Sequence, residues 1–206
     1  MASQHPLQHI LSAYKVVLAS QSPRRKHLLE GLDIPFEVLV KPGIDESFPG
    51  NLSKTEIPEF LSKKKAEAYK DILVDDNLLV ITSDTIVWLE GQVIGKPSSY
   101  NDAFEILQRL SGKMHEVVTG VALTTNKKQE VFHSITKVHI RNIEDQEIDY
   151  YLKKYQPMDK AGAYGIQEWI GYAAVDHIEG SFHNVMGLPV QKLYNALQQF
   201  SFPGAS

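Results

Sequence analysis

Apolar and polar positions fall into short blocks whose spacing predicts a mixed succession of strands and helices. The run at 15–19 predicts a strand, which Ser20-Gln21-Ser22-Pro23 turns into a helix over 24–31. Ser22 is placed to cap that helix, Pro23 to open it where no amide donor is needed, and Gly31 to end it at positive φ. A second strand is predicted at 36–40, broken by Lys41-Pro42-Gly43 before the acidic loop Ile44-Asp45-Glu46. Residues 56–71 predict a helix, with Ile57, Phe60, Leu61, Lys64 and Ala68, and Ile72 just beyond, making an imperfect apolar stripe. Residues 78–81 predict a strand core with Thr82-Ser83-Asp84-Thr85 as its polar exit, followed by a second apolar run at 86–89. Glu90-Gly91-Gln92 turns the chain into Val93-Ile94, and Gly95-Lys96-Pro97 makes a further compact turn.

Beyond it a helix is predicted at 99–110, a hairpin from 116–123 and 131–140 around Thr125-Asn126-Lys127-Lys128, and a helix at 144–155 stopped by Pro157. A strand at 173–178, a loop at 180–184 and a helix at 188–200 complete the pattern. The alternation predicts an α/β protein, either one domain or two small lobes sharing a core.

Composition narrows the chemistry. With 206 residues, 43% of them apolar and 22% charged, the chain reads as an ordinary folded protein that needs no staple. Its 21 basic against 25 acidic residues give a net charge of −4, which argues against a broad duplex-DNA surface but leaves room for one basic pocket. The absence of cysteine excludes disulfides, thiolate nucleophiles and cysteine zinc sites, and fits the cytoplasm. His9, Ser12, Tyr14 and Lys15 interrupt any apolar signal segment, and no run approaches the roughly 20 residues of a membrane span. Neither a stable nucleic-acid partner nor a membrane partner is expected.

Several polar clusters admit two readings. Lys63-Lys64-Lys65 is either a solvated helix face or a contact for a polyanion. Asp84 either caps a turn or serves as a metal-binding or water-activating carboxylate. The segment 159–167, with Lys160, Gln167 and its glycines, is either a bend or a ligand-recognition loop, and Ser181 and Asn184 either orient a ligand or cap local structure. Taken together, Ser20, Arg24, Arg25, Glu46, Lys65, Asp84, Lys96 and Lys160 supply carboxylates for a hard cation and cations for a phosphate chain. No Gly-x-x-x-x-Gly-Lys-Ser/Thr loop or Gly-x-Gly-x-x-Gly fingerprint is present.

The blocks LASQSPRRKHLLEGLDIPFEV, KKKAEAY, SDTIVWLEGQVIGKP, LSGKMHEVVTGVAL, DKAGAYGIQ and GSFHNVMGLPV resemble the Maf family of nucleotide pyrophosphatases over nearly the whole chain after its first dozen residues. The resemblance implies an elongated mixed-sheet Maf/Ham1-like α/β fold, with two lobes around a nucleotide cleft, in a single catalytic domain at 15–206 after a flexible extension at 1–14. It implies cleavage of a nucleoside triphosphate between its α- and β-phosphates, with a divalent cation, Mg²⁺ or Mn²⁺. Asp84 is then the catalytic carboxylate, Glu46 with Asp84 the metal ligands, and Ser20, Arg24, Arg25, Lys65, Lys96 and Lys160 the phosphate-binding groups. Arg24, Thr85 and Gln167 resemble the pattern of the dTTP/UTP-selective subgroup, with Gln167 offering donor and acceptor to a pyrimidine edge. A homodimer and a role in cleaning the nucleotide pool are further family-level expectations, as is a link to septum formation. Gln21 and the long N-terminal lead depart from the family pattern without replacing a proposed site residue. A nucleotide-binding regulator without turnover is the competing expectation.

Overall fold

A computed structural model describes residues 4–200. In chain order the elements are α1 (Gln8–Ala13), β1 (Lys15–Leu18), α2 (Pro23–Glu30), β2 (Glu37–Val38), α3 (Glu56–Glu67), β3 (Leu78–Leu89), β4 (Gln92–Ile94), α4 (Tyr100–Leu110), β5 (Met114–Thr124) and β6 (Gln129–Ile140). There follow α5 (Asp145–Tyr155), a 3₁₀ turn at Ala161–Ala163, α6 (Trp169–Ala174), β7 (Val175–Glu179), α7 (Phe182–Met186) and α8 (Val190–Gln199). The strands hydrogen-bond in the order β2-β1-β3-β5-β6-β7, with β4 paired to β3. β1 runs parallel to both β2 and β3, whereas β3/β4 and β6/β7 are antiparallel, so the fold is a mixed-sheet α/β.

The chain gathers into two compact units. The first runs through Asp84 and adds Gly120–Ser134 and the chain from Gly187; the second holds Thr85–Thr119 and Ile135–Met186. In the first, Val17, Ala19, Tyr69, Leu73 and Val80 form a packed cluster behind β1. β5 meets the start of α3 without a side chain between them, since a Cβ on Gly120 would lie 2.3 Å from the Pro58 carbonyl oxygen. In the second, α4 and α5 cover a core that includes Leu107, Val138, Tyr151, Ile166 and Ile170. Two good caps fix these helices: Ser99 accepts from Asp102 N–H at 3.1 Å, and Glu144 forms a reciprocal capping box with Glu147.

The structure corrects several sequence expectations. Part of the N-terminal lead is helical at Gln8–Ala13, because Leu7 and Ile10 are apolar one turn apart and both bury; residues 1–3 lie outside the described residues. Gly31 stays right-handed at φ −67°, and Asp33 takes the positive φ of 52° instead. The strand expected at 36–40 pairs only at Glu37–Val38, and the helix expected to reach 71 ends at Glu67. The expected break at 82–85 is absent: β3 is one strand of 12 residues. Residues 173–174 finish α6 before β7 begins, and the loop expected at 180–184 turns helical at Phe182.

Candidate active site

The continuous β3 decides where Thr82, Ser83 and Asp84 sit. Thr82, Ser83 and Asp84 are all buried in mid-strand, which polar side chains tolerate only when each finds a partner. Thr82 Oγ1 donates to the Ser62 carbonyl of α3 at 2.7 Å, and Ser83 Oγ donates to the Gly187 carbonyl at 3.4 Å. Asp84, 8% exposed, receives Lys65 Nζ from α3. The same ammonium reaches Glu46 Oε1 at 2.8 Å, so one lysine joins the strand carboxylate to the acidic loop. The neighbouring residues repeat the contact: Lys64 Nζ binds Asp45 at 2.7 Å and the Ser47 carbonyl at 2.9 Å, pinning the loop on both sides of Glu46.

The turn after β1 brings the arginines to this group. β1 pairs with β3 up to Leu18↔Ile81, so the chain leaves the sheet beside the residues that lead to Asp84. Ser20 Oγ accepts from Ser22 N–H at 3.2 Å, and Ser22 Oγ caps α2 by accepting from Arg25 N–H at 3.4 Å. Arg25 donates Nε to the Gly187 carbonyl at 2.8 Å and Nη1 to the Ser83 carbonyl at 2.9 Å. Burial pushes its pKa below the ordinary guanidinium value, Asp84 opposes that shift, Arg24 adds to it and Glu46 counters it. Arg24, Arg25, Glu46 and Asp84 therefore share one electrostatic environment, with Lys65 between the two carboxylates.

The remaining predicted residues belong to the second unit. Thr85 Oγ1 lies 3.0 Å from Thr119 Oγ1; because Thr119 already donates to the Asn184 carbonyl, Thr85 is the donor of that pair. Lys96 follows β4 and is exposed. Lys160 Nζ binds Asp159 at 2.9 Å and Glu168 at 3.1 Å, and Gln167 is half-buried beside Glu168. Asn184 is tied into local structure through its donors: its amide donates to the Val117 carbonyl and Thr136 Oγ1, while Ser181 Oγ accepts from the Asn184 N–H. Thr119 and Glu168 carry no role among the residues that the sequence singles out. Only the position of Glu168 directly after Gln167 hints at one, since no helix or strand spacing links Glu168 to Tyr151 and Lys160, and Thr119 meets Thr85 and Asn184 from distant parts of the chain.

The donor set fits a hard divalent cation of one kind. Among the described residues no group of three or more histidine or acidic side chains gathers to hold a metal, so an all-protein cage is not built. Asp84 and Glu46 together match instead a cation that takes one or two carboxylates and completes its shell with water and phosphate oxygen.

A buried strand carboxylate, a lysine shared with an acidic loop and an arginine at the first turn of a helix define an α/β protein equipped to handle a phosphorylated ligand. The family model described as Maf-like protein matches residues 15–200, and the chain belongs to the Maf family. It is 53% identical over 189 residues to a dTTP/UTP pyrophosphatase of Bacteroides thetaiotaomicron, covering 92% of this chain and 97% of that relative. A dTTP/UTP pyrophosphatase of Parabacteroides distasonis is 54% identical over 190 residues, covering 92% of this chain and 98% of the relative. A HAM1 protein structure from Coxiella burnetii overlaps 62% of this chain and 73% of its own, with 13% identity and a TM-score of 0.41.

Proposed function

We propose that the protein is a nucleoside triphosphate pyrophosphatase acting on dTTP and UTP. Water attacks the α-phosphorus, the bond from that phosphorus to the α,β-bridging oxygen breaks, and the nucleoside monophosphate and pyrophosphate leave. The observation that carries this reading is Asp84, a buried carboxylate fixed in mid-strand by Lys65 and set beside Arg25. In the proposed reaction Asp84 accepts the proton of the attacking water. Lys65 and the arginines of α2 offset the charge that develops on the phosphate oxygens, at a site whose low exposure strengthens each of those contacts. Lys96 and Lys160 are assigned to the phosphate chain, and Ser20 to a phosphate oxygen, by resemblance to the family.

Asp84 and Glu46 would hold a divalent cation, Mg²⁺ or Mn²⁺, which when bound neutralises triphosphate charge and polarises the reacting phosphoryl group. Among the described residues no helix is long and apolar enough to cross a membrane, and the lack of cysteine supports a cytoplasmic setting. The names of the two relatives support the pyrimidine preference, which we assign to Gln167, Thr85 and Arg24. A homodimer is part of the same reading, and light scattering at twice 23.2 kDa checks it. The reaction is tested by incubating dTTP and UTP with Mg²⁺ and separating the products. Monophosphate with pyrophosphate is the expected pair; diphosphate with orthophosphate rejects the bond assignment.

A further inference from the structure

Residues 165–168 close a ring of hydrogen bonds within the second unit. The Gly165 N–H donates to the Tyr151 hydroxyl at 3.0 Å, the hydroxyl donates to the Glu168 carboxylate, and the Glu168 N–H returns to the Gly165 carbonyl at 2.9 Å. A phenol has one proton to give, so the direction is fixed: amide in, carboxylate out. The other oxygen of Glu168 accepts from Lys160 at 3.1 Å, which leaves the carboxylate clasped from two sides.

Two glycines let the ring close. A Cβ on Gly165 would lie 2.7 Å from Glu168 Cδ, and a Cβ on Gly171 would lie 1.8 Å from the Ile166 carbonyl oxygen. Tyr151 is fully buried and stacks on Tyr155, so its hydroxyl has no room to seek another partner. Burial, followed by the bond to Glu168, pushes its pKa upward and keeps the phenol a donor across the neutral range. The ring encloses only Ile166 and Gln167. Ile166 is 4% exposed and belongs to the core, whereas Gln167 keeps part of its surface.

We infer that Tyr151 and Glu168 are positioning residues that set base preference by holding Gln167, an inference that rests on the assignment of Gln167 as the pyrimidine reader. A donor–acceptor amide discriminates between base edges only while its backbone is held to within about 0.5 Å. Loss of the phenol hydroxyl leaves the Gly165 N–H unsatisfied and the Glu168 carboxylate held by Lys160 alone, so the segment relaxes while the phosphate-handling group of the first unit stays intact.

The test compares Tyr151→Phe, Gly165→Ala and Gln167→Ala with the parent, using initial rates on dTTP and dCTP and hydrogen exchange at the Gly165 amide. Tyr151→Phe removes one oxygen, and Gly165→Ala displaces Glu168 while keeping the hydroxyl, so one reports if the other fails to fold. In either folded variant the ratio of kcat/KM for dTTP over dCTP should fall by about five- to thirtyfold, the span of one or two kcal/mol. Gly165 amide exchange should quicken, a readout independent of turnover. A parental ratio in folded Tyr151→Phe and Gly165→Ala, with the ratio reduced in Gln167→Ala, overturns the positioning role and leaves the reader assignment standing. A parental ratio in Gln167→Ala overturns the reader assignment and the inference with it.

Discussion

Each unit holds a nearly buried lysine between two carboxylates, and the two clusters differ in what surrounds them. Lys65, 13% exposed at its side chain, lies between Asp84 and Glu46; Lys160, 10% exposed, lies between Glu168 and Asp159. With Arg24 and Arg25 the first cluster has three cations against two anions and is net positive. The second has one cation and two anions, and 1 − 2 leaves it at −1. A positively charged group attracts a triphosphate, whereas in the second cluster the two carboxylates offset the attraction that Lys160 exerts on the phosphate chain. The further partner of the second cluster is a phenol that also holds the Gly165 amide, which makes it a clasp for backbone. In the proposed reading Lys65 serves the reacting phosphate, whereas Lys160 reaches the phosphate chain and also holds the carboxylate that clasps the Gly165 segment.

The largest expected effect is that of Asp84→Asn, which preserves shape but removes the base. Turnover of dTTP should fall by about 10²–10⁴-fold, the scale of general base catalysis, while the variant keeps its fold by circular dichroism. Equal initial rates at saturating substrate and metal would remove Asp84 from the mechanism. Next comes the contrast between lysines: Lys65→Ala should cost about 1.5–3 kcal/mol of transition-state stabilisation, read as kcat/KM, through a lost charged hydrogen bond. Lys160→Ala should cost less on that readout and more in thermal stability. Equal kinetic losses would erase the distinction between the two clusters.

A third prediction concerns the second unit alone. His115 is 1% exposed, its Nε2 shares a 2.8 Å hydrogen bond with the Tyr164 hydroxyl, and burial, with a smaller contribution from His139, lowers its pKa from 6.5 to about 4. A depressed histidine favours folding while neutral, so its contribution is complete above pH 6.5 and is lost as pH falls toward 4. The shift corresponds to about 3 kcal/mol. Unfolding of the parent should therefore become easier through that window, and His115→Gln should show a flatter pH profile in chemical denaturation; identical slopes would contradict the buried titration. The smallest effect is that of Gln167→Ala, which should lower the preference for dTTP over dCTP by about 1–3 kcal/mol and leave general triphosphate binding nearly unchanged, as competition binding would show.

How far the sequence could be read follows from the reach of each signal. Ser22-Pro23 announces its helix because a cap is a contact made three residues away. Glu90-Gly91 announces the β3–β4 hairpin because both residues take positive φ, the geometry of its turn. The polar stretch 82–85 misled because its burial depends on Ser62 and Gly187, whose carbonyls no local pattern reveals. Asp84, Lys65 and Glu46 are legible as part of a larger set of carboxylates and cations, their roles come from the family resemblance, and the structure supplies the ion pairs that join these three. The use of Arg25 as a clamp on two backbone carbonyls was not legible, since Gly187 lies far along the chain. Nor was the role of Glu168, whose partners Tyr151 and Lys160 come from separate segments.

The central claim, attack by water at the α-phosphorus beside Asp84, is tested most directly by hydrolysis of dTTP in ¹⁸O-labelled water followed by mass analysis of both products. The account predicts one labelled oxygen in the nucleoside monophosphate and none in the pyrophosphate. Label in the pyrophosphate, or in released orthophosphate with unlabelled nucleotide, would contradict it.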